Sequence, residues 1–298
     1  MHYIGRYAPS PTGPLHFGSL IAAVASYCDA KANAGKWLLR IEDLDKPREI
    51  TGAANTILQQ LETFGFEWDG EIIYQSQRSQ YYADALNTLQ KQQLIYPCTC
   101  TRKEIADSSN QLGIEGLIYP KTCLQHAIKP HAVAAFRIKT NSALISFNDV
   151  IQGNICQTLS TDSGDFVLKR ADGLFTYQLA VVVDDAAQGV THIVRGADLL
   201  ASTPRQIYLQ QLLRLTHPIY THVPIASNAA GEKLSKQTKA PAIDTRFIGL
   251  ALFHALDFLG QNPPDEIKNT QPSTIWNWAI PNWKPVNIPR QKCVFYNK

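Results

Sequence analysis

Apolar positions along the chain switch between two periods, and the switches mark its elements. Tyr3 to Tyr7 reads as a short strand. From Gly18 to Ala34, Leu20, Ile21, Val24, Tyr27 and Cys28 recur at helical spacing, and Ala34-Gly35 marks the stop. Trp37 to Ile41 reads as a buried strand, so the opening residues predict a βαβ unit and a parallel sheet. Ala53 to Phe64 and Arg78 to Gln92 carry amphipathic helical patterns. The helical pattern breaks from about Tyr96 to Lys169, where β-rich pieces appear at Ala134–Ile138, Ala143–Phe147 and Phe166–Lys169. Leu179 to Asp185 is a helix or a buried run, Thr191 to Arg195 a strand, and Pro204 to Leu215 a helix capped by Ser202 or Thr203. Helices over Arg246–Leu259 and Ser273–Ala279 close the chain. The predicted fold is α/β: a Rossmann-type, doubly wound parallel sheet in two halves (1–95 and 171–240), an α+β insertion (96–170), and a small, mainly helical C-terminal unit (241–298).

Composition narrows the class. With 298 residues, 45% hydrophobic and 18% charged, the chain can bury a real core. A net charge of +3 confines any nucleic-acid contact to a local patch. No apolar run approaches the roughly 18–20 residues of a membrane span, and the N-terminus lacks a signal pattern, so the expected setting is cytoplasmic with no membrane partner. Six cysteines in such a chain do not form a disulfide framework, and clustered ones point to metal.

Chemistry concentrates at strand ends. Pro9-Ser10-Pro11-Thr12-Gly13-Pro14 excludes regular structure, so strand, rigid turn and helix start follow one another. That arrangement offers N–H groups and a positive dipole end to a phosphate, with His16 and Gly18 at the helix entrance. Glu42 follows the second strand and can hold an ammonium group, while Arg6 and Arg195 at two strand ends can each fork a carboxylate. Two arginines and one glutamate suit a ligand with two carboxylates and one ammonium, which describes glutamate. Cys98, Cys100 and Cys123 are three thiols within a zinc-site span, and His126 is the fourth ligand that chemistry alone nominates. Lys233-Leu234-Ser235-Lys236-Gln237 lies in a polar loop where a lysine pair can close over a triphosphate.

Ala8 to Gly18 resembles the A-P-S-P-T-G-x-L-H-x-G signature of class I aminoacyl-tRNA synthetases of the glutamyl/glutaminyl branch, with every fixed position present. Arg40-Ile41-Glu42-Asp43-Leu44-Asp45 resembles the branch's R-I-E-D-T-D segment, with Leu44 for Thr. Tyr177 to Asp185 and Arg195 to Gln206 resemble its second half. Lys233 to Gln237 resembles the K-M-S-K-S signature, with Leu234 for Met and Gln237 for the last Ser. Cys98-Thr99-Cys100 with Tyr119-Pro120-x-x-Cys123 is similar to the zinc site of the short glutamyl-queuosine synthetases, in which a Tyr completes the set. The resemblance implies zinc, one per chain, on Cys98, Cys100, Tyr119 and Cys123. It implies a glutamate site of Arg6, Tyr7, Ala8, Pro9, Ser10, Glu42, Tyr177 and Arg195. ATP would be bound by His16, Gly18, Lys233, Ser235 and Lys236, with His16, Gly18 and Lys236 catalytic and magnesium accompanying the nucleotide.

Full-length glutamyl-tRNA synthetases continue into an anticodon-reading domain, whereas this chain stops, and length and zinc ligands together resemble the queuosine-modifying branch. The implied activity is ATP-dependent formation of glutamyl-adenylate and transfer of glutamate to queuosine in tRNA(Asp), by a monomer. Three other readings stand beside it: a shortened synthetase charging a tRNA 3′ end, a non-catalytic glutamate- or tRNA-binding paralogue, and another nucleotidyltransferase sharing only the His-x-Gly motif. The Arg40–Asp43 and Arg195–Asp198 segments oppose the last, and the paired signatures oppose a pure binder.

Overall fold

The computed structural model describes residues 2–126, 132–228 and 242–296. Strand Ile4–Tyr7 runs into the turn Ala8–Leu15, helix Phe17–Ala32 follows, and strand Lys36–Ile41 returns parallel to the first, with Ile4 opposite Lys36 and Tyr7 opposite Leu39. Ile73–Tyr74 extends this sheet, parallel to Arg40 and Ile41. A second parallel pair, His192–Gly196 with Ile219–Val223, lies beside the first strand, where the Thr191 N–H donates to the Ile4 carbonyl at 2.9 Å. Both ribbons therefore end at the same edge, next to the Ala8–Leu15 turn. Ligands of open α/β sheets bind at that edge.

Helix Phe17–Ala32 is buried nearly all round because it lies between the sheet and the C-terminal helices Ile248–Phe258 and Pro272–Asn282. Trp283 donates its indole N–H to Asp29 of this helix at 2.9 Å, and Trp276 donates to the Phe64 carbonyl at 3.0 Å. Residues from Tyr3 to Ile288 share this hydrophobic core. A second core joins helix Ser79–Lys91 to Ile138, Ile145, Leu168 and helices Tyr177–Ala187 and Thr203–Leu213.

The predicted stop after the first helix holds, with a shift in which residue does what. Ala34, not the glycine, takes the positive φ of 49°, while Gly35 is needed because a Cβ there would lie 2.6 Å from the Tyr3 carbonyl oxygen. Leu179–Asp185 resolves as helix Tyr177–Ala187. The predicted Ala143–Phe147 strand is Leu144–Asp149, antiparallel to a strand, Gly153–Thr158, that periodicity did not reveal. The expected side-chain cap at Ser202 or Thr203 is absent: a 3-10 turn over Ala197–Ser202 feeds directly into helix Thr203–Leu213, and the Ser202 side chain caps nothing. Among the described residues no helix is long and apolar enough to cross a membrane.

Candidate active site

The sheet edge opens into a cavity of about 620 Å³. Arg6, Tyr7, Ala8, Pro9, Ser10, His16, Gly18, Glu42, Tyr177 and Arg195 all line it, so ten residues nominated from sequence converge from four separated segments. Gly13 has φ of 132° in the turn between them, a conformation open to glycine. His16 caps the first helix, its Nδ1 accepting from the Ser19 N–H at 3.3 Å, and the Ser19 hydroxyl lies 3.2 Å from Nε2. The imidazole is thereby fixed against the helix start. Lys233, Ser235 and Lys236 lie outside the described residues. The chain on either side of them is placed: Ile225 and Ala226 line the cavity, and Ala242 forms a bridge with His16.

The two arginines differ in how their charge is met. Arg6 donates from Nε to Asp185 Oδ1 at 3.2 Å and from Nη2 to Oδ2 at 3.4 Å. Arg40, which is fully buried, donates to the same Asp185 at 2.8 Å and to Glu42 at 3.3 Å. Burial opposes ionisation of Asp185, but Arg6 and Arg40 prevail and hold its carboxyl below the usual range. Glu42 goes the other way: burial dominates and raises its pKa, although Arg40 and Arg6 pull against it.

Arg195 is 5% exposed, and among the described residues no carboxylate stands within 4.0 Å of its guanidinium. It donates to His222 Nε2 (3.0 Å), the Tyr177 hydroxyl (3.1 Å), Thr203 Oγ1 (2.8 Å) and Gln206 Oε1 (2.8 Å). All four acceptors are neutral when the imidazole is uncharged, so among the described residues no carboxylate touches this guanidinium directly; its link to a carboxylate runs through His222 to Asp149. Buried charge is costly unless paired, and a cation met directly by neutral groups is suited to an anionic ligand. Tyr177 is held neutral, burial raising its pKa against the pull of Arg195. His222, Thr203 and Gln206 carry no motif of their own and were not nominated from sequence. Thr203 and Gln206 stand inside the resembling Arg195–Gln206 segment, which is the one signal that pointed their way.

Away from the cavity, the sulfurs of Cys98, Cys100 and Cys123 lie within 4.8 Å of one another. The Tyr119 hydroxyl is 3.4 Å from Cys100 Sγ and accepts from the Cys123 N–H at 2.9 Å. Burial lifts Cys100 to about 11, whereas hydrogen bonds from Tyr119 and Thr99 outweigh burial at Cys123 and bring it down to about 6. His126 is exposed and not part of this group. The Tyr119 hydroxyl is the oxygen that stands beside the thiols.

A family profile described as "tRNA synthetases class I (E and Q), catalytic domain" matches residues 4–250. The glutamyl-Q tRNA(Asp) synthetase of Dechloromonas aromatica is 52% identical over 98% of this chain and 97% of its own length. That of Ectopseudomonas mendocina is 51% identical over 97% and 96%. Among solved structures, the glutamate-tRNA synthetase of Elizabethkingia anophelis superposes with a TM-score of 0.80 at 23% identity, over all of this chain and 68% of that one. This likeness concerns the fold.

Proposed function

The chain belongs to the glutamyl-Q tRNA(Asp) synthetases, within the class I tRNA synthetases (E and Q), and on that premise we propose that it activates L-glutamate with ATP and transfers it to queuosine of tRNA(Asp). The observation that carries the amino-acid side is Arg195, a buried cation with no carboxylate within 4.0 Å among the described residues, facing a cavity shared with Glu42 and Tyr177. A ligand carboxylate completes the first, and a ligand ammonium suits the second.

Activation needs no protein nucleophile. An α-carboxylate oxygen of glutamate attacks the α-phosphorus of ATP, the bond to the bridging oxygen breaks, and pyrophosphate leaves with its electron pair. His16, Gly18 and the start of the first helix receive the nucleotide, and we assign Lys233, Ser235 and Lys236 to the triphosphate, where cations offset charge moving onto pyrophosphate. Magnesium accompanies ATP. A queuosine hydroxyl then attacks the activated carbonyl and AMP departs.

Three thiols and a phenol fit a tetrahedral zinc site. Zinc bound there would tie the Cys98–Cys100 loop to the Tyr119–Cys123 turn as a structural clamp. We assign residues 96–170, which contain it, to tRNA contact. We propose that the chain acts as a monomer, and a tRNA substrate supports a cytoplasmic setting.

The test uses queuosine-containing and queuosine-free tRNA(Asp), each trimmed of its 3′ adenosine, with radioactive glutamate and ATP. Label that requires queuosine and survives trimming is expected. Label that needs the 3′ adenosine and ignores queuosine would replace modification by 3′ charging.

A further inference from the structure

Arg195 does not hold itself in place. Behind it stands His222, fully buried in strand Ile219–Val223, and behind that Asp149 at the end of strand Leu144–Asp149. The His222 Nδ1–H donates to Asp149 Oδ2 at 2.6 Å, and His222 Nε2 accepts from Arg195 Nε at 3.0 Å. The other carboxylate oxygen, Oδ1, is already committed to three backbone N–H groups: Ile151 at 3.1 Å, Gln152 at 2.9 Å and His222 at 3.2 Å. The carboxylate is thus clamped in one orientation, with a single oxygen left for the ring.

An arginine N–H needs an acceptor, and an imidazole nitrogen accepts only when it carries no proton. A neutral histidine has one protonated nitrogen, and the tautomer is set by the partner of the other. Asp149 accepts only, so it draws the ring proton to Nδ1 and leaves the Nε2 lone pair facing Arg195 Nε, with the Thr203 hydroxyl also 3.1 Å from Nε2. Burial pushes the imidazole down to about 4 despite the Asp149 hydrogen bond, with Arg195 adding to the effect, so the ring stays uncharged near neutral pH.

Resting on the glutamate reading above, we propose that Asp149 and His222 are positioning residues for substrate recognition: Asp149 fixes the His222 tautomer, and His222 fixes the Arg195 guanidinium that receives a substrate carboxylate. Four of the five arginine N–H groups are spoken for by His222, Tyr177, Thr203 and Gln206, so one Nη1–H remains for ligand. Neutral acceptors orient the guanidinium without discharging it. A carboxylate in the place of His222 would orient it equally well and quench its attraction for an anion. Asp149 belongs to the region we assign to tRNA contact, so this chain of hydrogen bonds also joins that region to the amino-acid pocket.

The substitutions Asp149→Asn, His222→Leu and His222→Gln separate this role from simple packing. In Asp149→Asn the three backbone donors keep the oxygen, so the amide nitrogen faces the ring, donates to Nδ1 and drives the ring proton to Nε2, donor against donor with Arg195. His222→Leu removes the acceptor, while the His222→Gln amide can present N–H to Asp149 and oxygen to Arg195. The readout is glutamate-dependent ATP–pyrophosphate exchange, with glutamate titration calorimetry and thermal midpoints on the same full-length proteins. For Asp149→Asn and His222→Leu, KM for glutamate should rise by about tenfold or more, the scale of one buried hydrogen bond lost next to a charge. KM for ATP should stay within about twofold, and His222→Gln should recover most of the loss. Should His222→Leu not fold, the Asp149→Asn and His222→Gln pair still decides. Unchanged KM for glutamate in Asp149→Asn, or parallel losses for glutamate and ATP, would overturn the positioning role while leaving the glutamate reading intact. Absence of glutamate-dependent exchange in the unsubstituted chain would remove that reading and the proposal with it.

Discussion

Arg6 and Arg195 are both buried, both line the cavity and were both legible in the sequence as guanidiniums at strand ends. Their surroundings were not legible, because the partners come from distant segments: Asp185 for Arg6, and Asp149 through His222 for Arg195. His222 lies in Tyr220-Thr221-His222-Val223, a run to which the sequence assigned neither an element nor a role and which folds as part of strand Ile219–Val223. The difference in partners predicts opposite behaviour on substitution. Asp185→Asn leaves Arg6 and Arg40 without their shared carboxylate and should destabilise the fold by about 3–5 kcal/mol, read by urea unfolding. Arg195→Met removes a charge with no carboxylate within 4.0 Å among the described residues. Relief of that charge offsets part of the cost of leaving His222, Thr203 and Gln206 without their donor, so the loss of stability should be smaller than in Asp185→Asn. Its glutamate affinity should fall by about 100-fold, the loss of one charge-assisted hydrogen bond to a carboxylate and of the charge behind it. A large loss of stability in Arg195→Met with affinity retained would reverse the assignment.

At the scale of elements, helices Ala53–Thr63 and Ser79–Lys91 followed from periodicity because each buries one clear face, and the parallel βαβ opening followed from its order of strand, turn, helix and strand, although helix Phe17–Ala32 is buried nearly all round. The hairpin Leu144–Asp149 with Gly153–Thr158 was only half legible, since its second strand mixes Asn154, Gln157 and Thr158 with exposed Cys156. The closing strand Cys293–Phe295 was not legible at all. Three residues carry too little pattern, and its partner, Ile225–Ser227, lies far back in the chain. That short strand pairs with the last described strand before the Lys233–Gln237 segment, and Tyr296 beyond it stacks on Phe17 at 4.0 Å, next to His16. Two parts of the site are thus braced by the last residues described. Tyr296→Ala should therefore cost about 2–4 kcal/mol, somewhat below a fully buried aromatic truncation, with the loss visible as a lower urea midpoint. Tyr296→Phe keeps the stacked ring and should restore most of it. Equal losses in both would place the effect on the hydroxyl instead of the stack.

At the scale of the molecule, the hydrophobic cores do not follow the order of the chain. The first helix shares its core with the closing helices, and the β-rich middle shares one with helices Tyr177–Ala187 and Thr203–Leu213. Chain-order reading finds segments but not which of them pack together, because packing is decided by faces that meet only in three dimensions. The cysteine cluster is the exception to this sharing: Tyr96, Cys98 and Tyr119 form a small separate core with Cys100, Ile105 and Cys123 packed on it, and none of these residues lines the cavity. A cluster this small holds few apolar contacts of its own, so a metal would supply much of its local stability. Metal analysis of the intact chain should find about one zinc per chain, and Cys123→Ser should fall well below that. Since the cluster stands apart from Arg195 and Glu42, glutamate-dependent pyrophosphate exchange should persist within about twofold in Cys123→Ser, while transfer of glutamate to tRNA should drop by about tenfold through weakened RNA binding. Exchange and transfer falling together would mean that the clamp supports the whole fold, and a metal-free intact chain with full transfer would leave the three thiols and Tyr119 without a metal to hold.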